Sequence, residues 1–156
     1  GNSPYDYIDN DVKGKTLIMT TTNGTKAINL SREASNVIIG SFINISTVCN
    51  FLVEDGRDVV MFCAGWKGNY NLEDSLFAGA VIHRLQKTFS FDSDGALSSC
   101  FLYEKAKFDG FHKFLKNSSH YKRLDGFSNQ KDIELALKFD QFNVLPILEG
   151  ENLVLR

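Results

Sequence analysis

A chain of 156 residues has room for one ordinary domain, and 43% hydrophobic against 23% charged residues suits one that buries a core. A formal net charge of −2 argues against a broad basic surface for nucleic acid. No run approaches the roughly 18 apolar residues that a membrane-spanning helix needs, and the polar, acid-bearing first ten residues do not read as a secretory leader. Cys49, Cys63 and Cys100 lack CxxC spacing, which suits a reducing cytoplasm and argues against a zinc site. Thirteen phenylalanines point to a bulky aromatic interior.

Residues 1–12 read as a turn, with Asn2-Ser3-Pro4 as a turn or helix-entry signal, so the chain is expected to open partway through a fold. Residues 15–22 are the first predicted strand, with Leu17, Ile18 and Met19 apolar and threonines favouring extension. Asn23-Gly24 then permits a left-handed turn, and Thr22 or Thr25 can cap a helix running through Ala27 and Ile28 towards Ala34. Hydroxyls, an amide and free N–H groups converging there suit a phosphoryl or carboxylate oxygen. The same pattern also describes an ordinary capped strand-to-helix turn. Residues 36–40 are a second strand, and a helix through Ile45, Val48, Cys49 and Leu52 stops at Asp55-Gly56.

A third predicted strand, 58–63, leads into Gly65 and Gly68, which free the backbone. Asn71 is the expected N-cap of a helix whose Leu72, Leu76, Phe77, Ala80, Val81 and Leu85 share helical spacing. Glu73 and Asp74 fall in its first turn. They either complement the helix dipole or hold a divalent cation and position water. Adjacent helical residues diverge by about 100°, so the two carboxylates do not face one ion equally. Trp66 and Lys67 lie in the turn, either closing over an anionic substrate or packing on a neighbour.

Beyond Thr88, residues 91–95 open a helix with Asp92 or Asp94 as cap, followed by helical 96–107 and 110–116 with Phe108, Phe111, Phe114 and Leu115 as core candidates. His120 starts a short helix to Leu124 and is either a general acid, an anion contact or structural. Residues 129–139 are amphipathic. Residues 144–149, carrying Pro146 and so expected near an edge or bulge, form a hairpin with 153–155. The β-α-β-α-β-α order of the first half predicts a single α/β domain. The expected architecture is a three-layer αβα stack with a mostly parallel or mixed sheet and a C-terminal hairpin. The turns TTNGT, GSFIN and AGWKGN would line one rim of that sheet.

GNSP at the start, TTTNGT at 20–25, IGSFINIS at 39–46, CAGWKGNYNLED at 63–74, SSHYKRL at 118–124 and FNVLPIL at 142–148 together resemble the 2-phosphosulfolactate phosphatase family, in order and over nearly the whole chain. The resemblance implies a Mg²⁺-dependent phosphoric monoester hydrolase that converts 2-phosphosulfolactate to sulfolactate and phosphate, on a route to coenzyme M or related sulfonates. Gly1, Asn2, Ser3, Thr22, Asn23, Gly24, Glu73 and Asp74 match stretches expected at its substrate and metal site. In this reading Glu73 or Asp74 holds Mg²⁺. Asn23, Thr22 and the N–H groups of 23–25, including Gly24 and Thr25, bind phosphoryl oxygens, and Lys67 steers the sulfonate or carboxylate. With no cysteine in a phosphate-loop arrangement, water attack is favoured over a phosphoenzyme. Family members carry a substantial section before GNSP, so the chain is expected to be a fragment that needs a further segment or forms a homo-oligomer. Trp66 stands where a smaller residue is expected, which leaves the substrate open. A rival expectation is a non-catalytic anion-binding α/β module.

Overall fold

The computed structural model describes residues 3–8, 12–124 and 130–156, without the side chains of 120, 123 and 124. Gly1, Asn2 and the His120 side chain lie outside the described residues. A short turn of helix, α1 (Tyr5–Ile8), is followed after the first apolar stretch by α2 (Gly24–Leu30), which ends short of the expected Ala34. Neither Thr22 nor Thr25 caps it. The Thr21 hydroxyl accepts the Thr25 N–H at 3.1 Å, while the Thr25 hydroxyl accepts the Thr21 N–H at 3.0 Å.

A 3-10 turn, Phe42–Asn44, feeds α3 (Ile45–Asp55), which stops at Gly56 as its composition predicts. Helix α4 (Leu72–Leu85) starts at Asn71, whose side-chain oxygen accepts the N–H groups of Glu73 and Asp74 at 2.9 and 3.3 Å. Its inner stripe buries Leu76, Ala80, Val81 and Leu85. Helix α5 (Asp94–Asp109) packs across α4 so closely that a Cβ at Gly79 would sit 1.9 Å from the Ser99 carbonyl oxygen. The cap of α5 is Ser93, whose hydroxyl accepts the Ala96 N–H at 3.2 Å, rather than Asp92 or Asp94. Short helices α6 (Phe111–Leu115), α7 (Ser119–Leu124) and α8 (Gln130–Ala136) complete the helical part.

The core gathers on α3, α4 and α6, with Ile45, Leu76, Val81 and Leu115 fully enclosed. Burying each contributes about 1.5–3 kcal/mol relative to exposure. The aromatic interior centres on Phe42, whose ring meets Phe139, Phe77 and Phe111 at 5.0, 5.6 and 5.7 Å. Phe108 is not part of it: it is 87% exposed, with the Lys105 ammonium 5.5 Å above its ring.

The hairpin forms as expected, with β1 (Pro146–Glu149) antiparallel to β2 (Asn152–Leu155) and Pro146 opposite Leu155. Residues 36–40 reach this sheet through a single antiparallel bridge from Ile38 to Ile147. The Ile39 N–H donates to the Pro146 carbonyl and the Leu148 N–H to the Val37 carbonyl, both at 2.9 Å. Pro146 is therefore flanked on both sides, not placed at an edge. It opens its strand, a position that tolerates proline. Having no N–H, it cannot serve the Ile39 carbonyl. The Asn44 side chain does so instead, donating to the Ile39 and Val144 carbonyls at 3.2 and 3.1 Å.

Predicted strands 15–22 and 58–63 are not assigned as strands. Among the described residues the sheet that forms is the small antiparallel one of β1 and β2. A strand exists only beside a neighbour that completes its ladder, and apolar content cannot supply one. The chain is thus a mixture of helices with a small antiparallel sheet, an α/β composition. Among the described residues no helix is long and apolar enough to cross a membrane.

Candidate functional site

The turn after residues 58–63 closes on itself: the N–H groups of Trp66 and Asn69 each donate to the other's carbonyl at 3.0 Å. Lys67 sits inside it with φ of 51°, a left-handed conformation rare for a side-chain-bearing residue. Gly65 precedes it with φ of 67°, and a Cβ there would lie 2.6 Å from the Asn69 carbonyl oxygen. Glycine is the one residue that fits. The Lys67 ammonium lies 4.6 Å above the Trp66 ring, a cation–π pair.

Two of the sequence-predicted residues hold this turn from opposite elements. Asp74, in the first turn of α4, accepts the Gly65 N–H on Oδ2 at 2.7 Å. Asn23, just before α2, accepts the Lys67 N–H on Oδ1 at 3.1 Å. The loop after residues 15–22 and the loop after 58–63 are thereby joined. Thr22 is exposed and Gly24 opens α2. The N–H of Thr25 is taken by Thr21.

Glu73 goes elsewhere, as the 100° step between helix neighbours requires. Its Oε1 accepts the Ser118 hydroxyl at 2.7 Å. That same hydroxyl oxygen accepts the Tyr121 N–H at 3.0 Å and so caps α7. Ser118 is nearly fully buried, so one hydroxyl both starts a helix and fixes a carboxylate. A hollow of about 290 Å³ opens here, lined among others by Trp66, Asn69, Asn71, Glu73, Ser118 and Ser119. Asn23 and Asp74 are not among its lining residues. Ser3 is tied to α8, its hydroxyl donating to Asp132 at 2.8 Å. Ser118 was visible in the sequence only as a polar residue ahead of a short helix; its tie to Glu73, 45 residues away, was not.

The polar groups lining the hollow offer oxygen donors: a carboxylate, three hydroxyls and two side-chain amides. Such a set suits a hard divalent cation. Cys63 stands beside Asp74, and local burial followed by that carboxylate pushes its thiol up, although Ser75 acts in the other direction. A raised thiol is a poor nucleophile. His83, Cys100 and Glu104 form a separate group on the α4–α5 seam, with His83 Nδ1 3.4 Å from Glu104 Oε1.

A family model described as 2-phosphosulpholactate phosphatase matches residues 1–151. The chain is 34% identical over 149 residues to a protein of Caldanaerobacter subterraneus named "Probable 2-phosphosulfolactate phosphatase", covering 96% of this chain and 62% of that protein. A protein of the same name from Thermotoga petrophila is 36% identical over 156 residues, covering 100% of this chain and 66% of the relative. Another from Clostridium acetobutylicum is 37% identical over 149 residues, 93% of this chain and 62% of the relative. The chain spans a little under two-thirds of the length of these curated relatives.

Proposed function

Because the chain belongs to the 2-phosphosulfolactate phosphatase family, we propose that it carries a large part of the site of a phosphoric monoester hydrolase acting on 2-phosphosulfolactate or a closely similar phosphorylated acid. The observation that carries this reading is the hollow at the start of α4, where Glu73 is fixed by Ser118 among oxygen donors. Phosphate monoesters hydrolyse extremely slowly unaided, so charge on the phosphoryl oxygens must be strongly stabilised. Magnesium held at Glu73, when bound, would supply charge neutralisation there.

The protein's own groups do the rest in this reading. Asn23 Oδ1 is engaged by the Lys67 N–H, so the Asn23 side-chain NH₂, the Thr22 hydroxyl and the Gly24 N–H are the donors left for phosphoryl oxygens. Asp74 sets the Gly65–Asn69 turn in place, with Lys67 on it as the cation for the sulfonate or carboxylate. Asn2, the Thr25 hydroxyl and Ser3, whose hydroxyl would have to exchange Asp132 for the substrate, complete the proposed contacts, and water is the nucleophile. In the same reading, within a chain of full family length, residues 15–22, 36–40 and 58–63 would pair as strands of a three-layer αβα fold with a mostly parallel or mixed sheet. The working compartment is the cytoplasm.

The test is phosphate release from 2-phosphosulfolactate, with Mg²⁺ or with a chelator, by this chain and by a chain of full family length. Release that requires Mg²⁺ in the longer chain is expected. Glu73→Gln in that chain should lower kcat by about 10²-fold with the circular dichroism spectrum retained. Unchanged turnover would remove Glu73 from the mechanism. No release from either form, with retained phosphate binding, would leave a non-catalytic anion-binding domain.

A further inference from the structure

Two stretches of this chain have the composition of buried strands and the surroundings of neither a strand nor a core. In residues 16–20 the side chains of Leu17, Ile18 and Met19 are exposed, Ile18 to 98%. In residues 58–62 Val60 is 86% and Phe62 52% exposed, while Met61 between them packs against the core. Among the described residues, the main chain of both stretches makes no hydrogen bond. Single exposed apolar residues are unremarkable, but runs of them with idle main-chain groups mark a surface that something covers.

We infer that these two stretches are a docking surface for the polypeptide that makes up the rest of the family's length, and that this polypeptide lays a strand along each and covers their outer faces. The match covers 62% and 66% of two of the relatives, so a third or more of each relative's own length lies outside it. That extra length is the one covering material whose size the comparisons give. A second copy of the chain fits less well. Successive residues of a strand project to opposite faces. Leu17 and Met19 would therefore face one way and Ile18 the other, and all three are exposed. Pairing two such stretches edge to edge would satisfy the main chain yet leave both faces bare. Continuous apolar runs of this kind belong to strands covered on both sides. The occupant must bring layers as well as an edge, which a segment a third of a protein long can do and a like copy cannot. The join between Asn23 and the Lys67 N–H brings the downstream ends of the two stretches to one turn, so one occupant can reach both. The inference does not depend on the phosphatase chemistry.

Hydrogen exchange tests it, on the 156-residue chain alone and on the same chain joined to the unmatched part of the Thermotoga petrophila relative. Alone, amides of 16–20 and 58–62 should exchange at nearly the rate of unstructured peptide. Joined, they should slow by at least about 100-fold. Equal exchange in both forms would overturn the proposal. So would protection in the lone chain accompanied by sedimentation at twice its mass, which assigns the surface to a second copy. Ile18→Lys and Val60→Lys supply an independent check that needs no joined chain. Each should leave the melting temperature of the lone chain within about 2 °C and raise its solubility. A large drop in melting temperature would mean those side chains are already covered, and would sink the inference.

Discussion

Asn44 does the work of two missing donors. Its amide reaches the carbonyls of Ile39 and Val144, and its oxygen accepts the Ser41 N–H at 2.8 Å, all while only 4% exposed. Each buried group left without a partner costs about 1–3 kcal/mol. Asn44→Ala should therefore lower stability by about 2–3 kcal/mol in urea unfolding, and Asn44→Asp should fail to restore it, since a carboxylate cannot donate. Asp140 is the second residue whose role is local and testable. It has φ of 53° and accepts both the N–H and the hydroxyl of Ser46 at 2.7 Å, capping α3 from far along the chain. Burial pushes its carboxyl up, but the Ser46 bonds and the Arg84 guanidinium outweigh this and hold it below the ordinary aspartate value of 3.8. A carboxyl lowered in the folded state stabilises above its unfolded value, and that contribution fades as pH falls through the folded one. The stability gap between wild type and Asp140→Asn should be full at pH 7 and should shrink below pH 3.8. A gap independent of pH would show that the charge contributes nothing.

Elements whose signals are local were legible in the sequence. Helices α3 and α4 and the hairpin carry their caps, stop signals and apolar stripes within their own lengths, and all three form where the spacing puts them. Caps were less legible, because a hydroxyl one or two residues away does as well: Ser93 stands in for Asp92 or Asp94, and Thr21 for Thr22 or Thr25. Strands 15–22 and 58–63 were the least legible, because the ladder that defines a strand lies outside it. The seam of α4 and α5 was not readable either. Gly79 looks like a weak spot in a helix, yet it is where the Ser99 carbonyl needs the missing side chain. Gly79→Ala improves helix propensity by about 1 kcal/mol and overpacks the seam by about 1–3 kcal/mol. With backbone rather than a flexible side chain in the way, net destabilisation is expected in thermal unfolding. A rise in melting temperature would mean that the helices separate freely.

At the scale of the molecule, the site is assembled from three loops that are distant in sequence. The family motifs mark each loop, but not which oxygen holds which N–H. Glu73 and Asp74 illustrate the limit: as neighbours they look like a pair, and the fold sends one to Ser118 and the other to Gly65. The grip of Asn23 and Asp74 on one small turn has a mechanical consequence. The N–H groups they hold belong to residues 65 and 67, so the loop opening α2 and the loop opening α4 share a single clasp. Displacing that clasp, whether by an arriving anion or by a change in either apolar stretch that leads into it, would be felt by both helices at once.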